Sequence, residues 1–383
     1  MKIVRIEVFR VDVPMKPDSV NSPEFGGDGV SAFTLGLHKH ILKMHTDEGI
    51  VGLGETWKGT PAAAVRKGAE ALLGTDPTRL SLHRLPLPYD TEEVNVRDRG
   101  EVVAVPVSSI PHNPAVHAFE VAVADIVGQA FGVPICQLLG GPVRDRVLVH
   151  YWSGRRTPED LARVAKQAQE RGFSGLKIKC ALEDPNLERV QAVYEACGPG
   201  FRITLDPNMR FRSVEATLEL AKRMEGLPVE VFEDPVAKDD LADYARLKAE
   251  MEIPLALHLE RPEDVLEAIR REVAGVFNLR GTMTGFMKAA YLAEVAGLPV
   301  WRGILDASYA HVCAATPACT LGSDIVGNFL REDDLIVEPL VYKGSYVQVP
   351  EGPGLGVQLD EEALARYTVE REEDGTPGVW TVE

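Results

Sequence analysis

Residues 175–206 read GLKIKCALEDPNLERVQAVYEACGPGFRITLD, and the fold turns on how this stretch divides. Two short apolar runs, Gly175–Lys179 and Arg202–Asp206, flank a polar segment long enough for one helix and its turns. Strand, helix and strand in that order form a βα crossover, which lays the second strand parallel to the first. Each run ends on a charged residue, Lys179 in the first and Asp206 in the second.

The unit recurs in both directions. Further candidate strands are Val147–Trp152, Val229–Glu233, Ile253–His258, Val276–Arg280 and Leu298–Arg302. Their ends, from Trp152 through Lys179, Asp206, Glu233, His258 and Arg280 to Arg302, lie 27, 27, 27, 25, 22 and 22 residues apart. Helix starts fall between them. Thr157-Pro158-Glu159-Asp160 supplies an N-cap, a first-turn proline and early acids, and Ser213-Val214-Glu215 and Arg261-Pro262-Glu263-Asp264 open two more helices. Seven units, with an eighth strand near residues 319–325, predict an α/β fold of the TIM-type (β/α)-barrel class over residues 143–330. A doubly wound open sheet is the competing architecture. It is disfavoured because Gly52-Leu53-Gly54-Glu55 is only a broken glycine pattern inside a hairpin, not a dinucleotide loop.

Residues 1–130 have a different texture and predict an α+β domain. Ile3–Val13, His40–Thr46 and Gly49–Gly54 read as strands, with a turn at Asp47-Glu48-Gly49, and residues 61–73 and 114–132 read as helices. Pro17–Gly29 reads as a mobile loop of lid length. After residue 330, Leu335–Leu340, Tyr346–Val349 and the glycine-rich 351–356 read as extended structure, and 370–376 as a solvated turn. Segment 331–383 is expected to pack back on the N-terminal region.

Of 383 residues, 45% are hydrophobic and 26% charged, which suits a globular protein with a sizeable core. A formal charge of −17 repels phosphate backbones and argues against nucleic acid as a partner. No apolar run is long enough to span a membrane, and Met1–Glu7 reads as a strand rather than a signal peptide. Five cysteines without a CxxC read as reduced thiols in a cytoplasmic protein.

Chemistry in such a barrel sits at the C-terminal strand ends. Lys177 and Lys179, two apart on one strand, share a face. Two inward lysines are costly without negative charge to meet them, and Asp206 and Glu233 supply it. A divalent cation resolves both needs, and hard oxygen ligands favour Mg²⁺. Such an ion can bind a substrate carboxylate and stabilise the dianion left when the α-proton departs. A lysine crowded by a second lysine and a metal is expected to have its pKa pushed down, as suits a general base.

These residues carry a resemblance. Lys177-Ile178-Lys179, Leu205-Asp206-Pro207-Asn208 and Phe232-Glu233-Asp234-Pro235 resemble the lysine pair and first two metal ligands of the mandelate racemase/muconate lactonizing family of the enolase superfamily. Residues 118–146, with Asp125-Ile126-Val127-Gly128 and Leu138-Leu139-Gly140-Gly141-Pro142, are similar to that family's approach to the barrel. The resemblance spans the chain. It implies that residues 1–130, completed by the C-terminal segment, cap the barrel, with loops near Pro17–Gly29 and Trp57 closing over the site. It also implies Mg²⁺-dependent enolate chemistry, Mn²⁺ being possible, on a small carboxylate, in a homo-oligomer.

The chain departs from that pattern twice. The third metal ligand, a carboxylate in the family, falls here within Pro254-Leu255-Ala256-Leu257-His258-Leu259-Glu260. His258 is the first candidate and Glu260 the alternative. A neutral imidazole removes one negative charge and lets Mn²⁺ or Zn²⁺ compete better. On the far side, Asn278-Leu279-Arg280 lacks the family's sixth-strand lysine and Trp301-Arg302-Gly303 lacks its seventh-strand histidine. One base without a second argues against racemisation. It favours syn elimination: Lys179 takes the α-proton and Lys177 helps a β-leaving group depart, as in a dehydratase of a hydroxy acid or hydroxy amino acid. Arg280 or Asp306 would bind the distal part of the substrate, Asn208 would support the site, and Tyr151, Trp152 and Trp57 would wall it. A cycloisomerase or epimerase using the same lysines, and a catalytically silent homologue, are the alternatives.

Overall fold

The computed structural model describes residues 1–25, 37–89, 113–303, 306–325 and 329–383. The chain opens with β1 (Ile3–Val13), β2 (Leu37–Thr46), β3 (Val51–Glu55), α1 (Ala62–Leu72) and α2 (Val116–Phe131). The short α3 (Ile135–Leu138) leads to an alternating series: β4 (Arg146–Ser153), α4 (Pro158–Glu170), β5 (Gly175–Lys179), α5 (Asn186–Cys197), β6 (Arg202–Asp206) and α6 (Val214–Arg223). It continues with β7 (Val229–Glu233), α7 (Leu241–Glu250), β8 (Leu255–Leu259), α8 (Pro262–Arg270), β9 (Val276–Leu279), α9 (Met283–Val295), β10 (Val300–Arg302), α10 (Ala307–Ala314) and β11 (Ser323–Ile325). The chain finishes with β12 (Tyr342–Lys343), β13 (Tyr346–Gln348), α11 (Glu361–Tyr367) and β14 (Val379–Val382).

Strands β4 to β10 pair in parallel, each with the next. β11 pairs in parallel with β4 through Ser323↔Val149, Asp324↔His150 and Ile325↔Tyr151. Parallel bridges Val300↔Cys319 and Gly303↔Asp324 join the β10 and β11 segments, so the eight strands close into the expected barrel. Alternation sorts the side chains into two sets. Val231, Ala256, Val276 and Trp301 fill the interior. Phe232, Leu257, Phe277 and Val300 face the helices.

The cap is an antiparallel sheet of order β14-β1-β2-β3 with α1 and α2 against it. Its core is Ile3, Ile6, Val8, Leu42 and Met44 of the sheet against Val65, Leu72, Phe119 and Ile126 of the helices. Gly52 and Gly54 let α2 approach closely: a Cβ would lie 2.3 Å from Ala122 O at Gly52 and 2.2 Å from Ala118 O at Gly54. This packing explains the two glycines that a nucleotide loop does not. Two acids on α2 fasten the layers. Asp125 accepts from Leu53 N at 2.9 Å and Leu355 N at 2.8 Å. Glu120 accepts from Met283 N at 2.6 Å and Thr284 N at 3.0 Å, at the start of α9.

Segment 331–383 divides between the layers, unlike the expectation. β14 extends the cap through Ile6↔Val382 to Phe9↔Val379, and α11 packs on β1. The β12–β13 hairpin instead joins the barrel, β13 pairing antiparallel with the start of β4 through Val347↔Val147. Arg146–Leu148 precede the rows where β5 and β11 pair, so their backbone groups need another partner. Leu335–Leu340 contains only the bridge Ile336↔Leu359 rather than a strand.

Residues 26–29 of the expected loop lie outside the described residues. The part before them is pinned to the barrel: Asn21 and Ser22 are buried, and Asn21 Oδ1 accepts from Arg155 N at 2.8 Å. The Phe25 ring lies 4.8 Å from the Arg155 guanidinium and 5.0 Å from that of Arg189. All five cysteines are free thiols, and Cys180 is buried in the core. No helix among the described residues is long and apolar enough to cross a membrane.

Candidate active site

The polar residues gather where β5, β6, β7 and β8 end. The register sets Lys179 beside Asp206. Asp206 Oδ2 lies 2.6 Å from Lys179 Nζ and 2.9 Å from Lys177 Nζ. Lys177 Nζ also lies 2.7 Å from Glu233 Oε2 and 3.5 Å from Asp324 Oδ1. Asn208 holds Lys179 in place: its Oδ1 accepts from Lys179 Nζ at 2.5 Å, and its N–H donates to Asp206 Oδ1 at 3.1 Å. Asn208 and Met209 hold φ of 44° and 66°, a left-handed turn that asparagine tolerates better than most side chains.

Burial decides how these groups titrate. Burial alone would pull the Lys177 ammonium down, but Asp206, Asp324 and Glu233 outweigh it and hold the pKa well above 10.5. Three carboxylates surround Lys177. Burial would raise Asp206, but the two lysines hold it well below the usual carboxylate range. Glu233 is pushed up to about 8, first by burial and then by Asp206, the lysines only partly compensating.

His258 ends the inward row of β8. Its Nδ1 lies 3.8 Å from Glu233 Oε1, and its Nε2 is buried without a hydrogen-bond partner among the described residues. Burial, followed by Arg280, Lys238, Lys177 and Lys179, keeps the ring well below 6.5 and neutral. A buried pair fixes its backbone. Lys238 Nζ donates to His258 O at 2.8 Å and Asp234 Oδ2 at 2.5 Å, while His258 N donates to Asp234 Oδ1 at 3.0 Å.

Two buried carboxylates and a neutral imidazole form a donor set that fits a divalent cation, and Glu233 is short of compensating charge. In the structure the Lys177 ammonium lies between Asp206 and Glu233. Among the described residues, no three His, Cys, Asp or Glu side chains converge as ligands.

The other expected residues separate. Arg280 follows β9, six strands into the barrel and so opposite β5, with its guanidinium 5.3 Å from the Trp57 ring. Trp57 reaches this wall from the cap and stacks on His117 at 4.7 Å, which stacks on Tyr309 at 5.2 Å. Three expectations are corrected. Tyr151 points outward onto Phe173 and Phe329, since strand alternation turns Trp152, paired with Lys177, to the inner face. Asp306 caps α10, accepting from Tyr309 N at 3.0 Å and Ser308 Oγ at 2.6 Å. Glu260 lies half-buried beyond β8, where it acts on Arg261 rather than joining Asp206 and Glu233.

Two further residues belong to the site. Asn278 Nδ2 donates to Glu233 Oε1 at 2.8 Å, and its Oδ1 accepts from Gly303 N at 2.8 Å. Asp324 faces Lys177 from β11. Inward parity on β9, counted from Val276, would have found Asn278. β11 is too short for its sequence to show alternation.

Comparison with known proteins bears directly on this arrangement. Residues 160–363 match the family model described as enolase C-terminal domain-like. The chain belongs to the enolase superfamily. It is 25% identical to the N-succinyl-L-Arg/Lys racemase of Bacillus cereus, over 96% of this chain and 98% of the relative. It is 26% identical to muconate cycloisomerase 1-1 of Acinetobacter lwoffii, over 96% of each. Among solved structures, an enolase from Thermobispora bispora complexed with magnesium and formate superposes with a TM-score of 0.78 at 28% identity, covering 96% of this chain and 92% of that one. The chain shares the superfamily's modified barrel and capping domain.

Proposed function

We propose that this enzyme removes the α-proton of a small carboxylate with Lys179 and completes an isomerisation from that same face. The observation that carries the reading is Lys179 Nζ held at 2.6 Å from Asp206 and 2.5 Å from Asn208, with Lys177 beside it and a guanidinium opposite. Isomerase chemistry is favoured over dehydration by the racemase and cycloisomerase relatives. The lack of a lysine in Asn278-Leu279-Arg280 and of a histidine in Trp301-Arg302-Gly303 favours a one-sided isomerisation, such as a cycloisomerisation, over inversion. Arginine keeps its proton at any working pH, so Arg280 cannot replace a far-side base.

Asp206, Glu233 and His258 would hold a divalent ion, Mg²⁺ first because a magnesium complex is known for a similar structure. Bound there, the ion would supply positive charge to the substrate's carboxylate oxygens. Lys179 would take and return the proton, Asn208 would aim its ammonium, and Lys177, kept protonated by Asp206, Asp324 and Glu233, would serve as the fixed cation or acid on the same side.

A second reading is β-elimination of water from a hydroxy acid. It is favoured by the same protonated Lys177, which could donate to a departing hydroxyl. The test is α-proton exchange in D₂O over a panel of carboxylates, with product mass read in parallel. Exchange that is lost in Lys179→Ala supports the reading. An unchanged product mass assigns isomerisation, and loss of 18 mass units, the mass of water, assigns elimination. No exchange on any acid with Mg²⁺ or Mn²⁺ supplied would leave a silent homologue.

A further inference from the structure

Two thiols that the proposed reaction does not use lie together behind the seam that closes the barrel. Cys313 stands near the end of α10 and Cys319 beyond the turn that follows it, both buried and both free. The residues between them are clamped. Arg144, on the approach to β4, donates through Nη1 to Cys313 O at 3.3 Å and to Cys319 O, and through Nη2 to Pro317 O at 3.1 Å. One nitrogen that reaches both carbonyls sets the two cysteine backbones side by side. The thiols lie within hydrogen-bond reach of each other and of the Ser323 hydroxyl.

Strands on either side hold the pair. Cys319 bridges to Val300 of β10, whose N–H donates to Ala318 O at 2.8 Å. Ser323 opens β11 and its Oγ accepts from Arg302 N at 3.1 Å, while the next residue, Asp324, faces Lys177. Two thiols brought together by a clamped turn have little chain entropy left to lose on joining. Their surroundings divide the roles. Cys319 is held below the usual thiol range, first by the hydrogen bond from Cys313 and then, against burial, by the Arg144 charge. Burial pushes the other four thiols up. A thiolate, not a thiol, attacks an oxidant.

We propose that Cys313 and Cys319 form a peroxide-sensitive modification site that closes to an intramolecular disulfide. The Cys319 thiolate attacks one oxygen of hydrogen peroxide and the O–O bond breaks. Hydroxide leaves, taking the proton that Cys319 gave up, and a sulfenic acid remains on Cys319. Cys313 Sγ then attacks the Cys319 sulfur. The S–S bond forms, the S–O bond breaks, and the hydroxyl departs as water with the Cys313 proton. Two thiols and one peroxide give one disulfide and two waters, the sulfurs being oxidised and the peroxide oxygens reduced. Peroxide is small enough to reach Cys319, which keeps 5% of its surface exposed, whereas Cys313 at 0% is sealed from larger reagents. The site stands apart from the function proposed above and holds whichever acid is turned over.

The test treats the native full chain with a slight excess of hydrogen peroxide, alkylates the remaining thiols in denaturant, and weighs the tryptic peptides. Cleavage after Arg302 and Arg331 leaves both cysteines in one peptide, residues 303–331. That peptide should lose about 2 mass units, take no alkyl group, and recover both thiols with dithiothreitol. Cys136, Cys180 and Cys197 should stay alkylated. In Cys313→Ser the sulfenic acid has no partner, so dimedone should label Cys319. In Cys319→Ser dimedone should leave Cys313 unlabelled. An unchanged native peptide, oxygen added without loss of both thiols, a disulfide to another cysteine, labelling of Cys313, or closure seen only in urea overturns the site. The wild-type arm decides even where a serine variant does not fold, because it compares the native chain with the same chain in urea.

Discussion

Lys177 Nζ stands 2.7 Å from Glu233 Oε2, so an internal ammonium offsets the carboxylate that a divalent ion would otherwise meet. Removing it should expose how much the site depends on positive charge. Lys177→Met leaves Asp206, Glu233 and Asp324 less compensated, and a buried pair broken on one side costs about 3–5 kcal/mol. Urea unfolding in a chelator should show that loss, and added Mg²⁺ should recover part of it. If Mg²⁺ recovers nothing, the carboxylates do not serve a metal.

His258 is the weakest donor of the three for a hard ion. His258→Asp should raise Mg²⁺ affinity about tenfold, because ligand charge tunes affinity. His258→Ala should lower it. Equal affinities in wild type and both variants, measured by calorimetry, would remove His258 from the metal site.

Asn208 combines a strained backbone with a side-chain hydrogen bond. Its φ of 44° suits glycine, so Asn208→Gly adds no backbone strain and should lose only the stability of that bond. The variant loses the hydrogen bond to Lys179, worth roughly 1.5–3 kcal/mol to a charged donor, so exchange should slow about tenfold or more. Asn208→Ala should match that rate and melt lower. A glycine variant with unchanged exchange would deny Asn208 any hold on the base.

His117 should set part of the acid stability. Burial first, then Arg302, Lys39 and Arg280, depress its pKa from 6.5 to about 3, so the folded ring stays neutral where the unfolded ring takes a proton. Its stabilising share is complete above pH 6.5 and is lost as pH falls toward 3. One proton corresponds to at most about 1.4 kcal/mol per pH unit. His117→Phe keeps the stack with Trp57 and Tyr309, and its denaturation midpoints between pH 7 and 5 should fall less steeply. Parallel slopes would assign the acid loss to the other buried histidines, His150 among them.

The cap has its own weak point. Gly54→Ala places a methyl 2.2 Å from Ala118 O on α2, a backbone atom that cannot turn aside. Overpacking of this kind costs about 1–3 kcal/mol or more, and the melting temperature should drop accordingly. An alanine variant with an unchanged melting temperature would show that α2 can shift freely.

The barrel was legible because its strands are short, apolar and closed by polar ends. Gly175–Lys179, Arg202–Asp206 and Val229–Glu233 have the same limits in sequence and structure. Period-two alternation puts both lysines on one face, and the same alternation separates Trp152, turned inward, from Tyr151, turned outward. Tyr346–Val349, read as extended, holds β13, whereas β12 has only two residues and β14 is defined by its distant partner β1. Asp324 was hidden for a different reason: it sits 147 positions from Lys177, and only chain closure brings it within 3.5 Å.

The pairing of β1 with β14 sets the order in which this molecule can be finished. β1 leaves the ribosome hundreds of residues before the strand that covers its outer edge. Until then β1 can pair only with β2, and its other edge offers open backbone groups to any neighbouring nascent chain. The barrel strands emerge in between and can close without it. Loss of Val379–Val382 would therefore leave a formed barrel beneath an unsealed cap, a chain prone to stick to its own kind during synthesis rather than one that fails to fold.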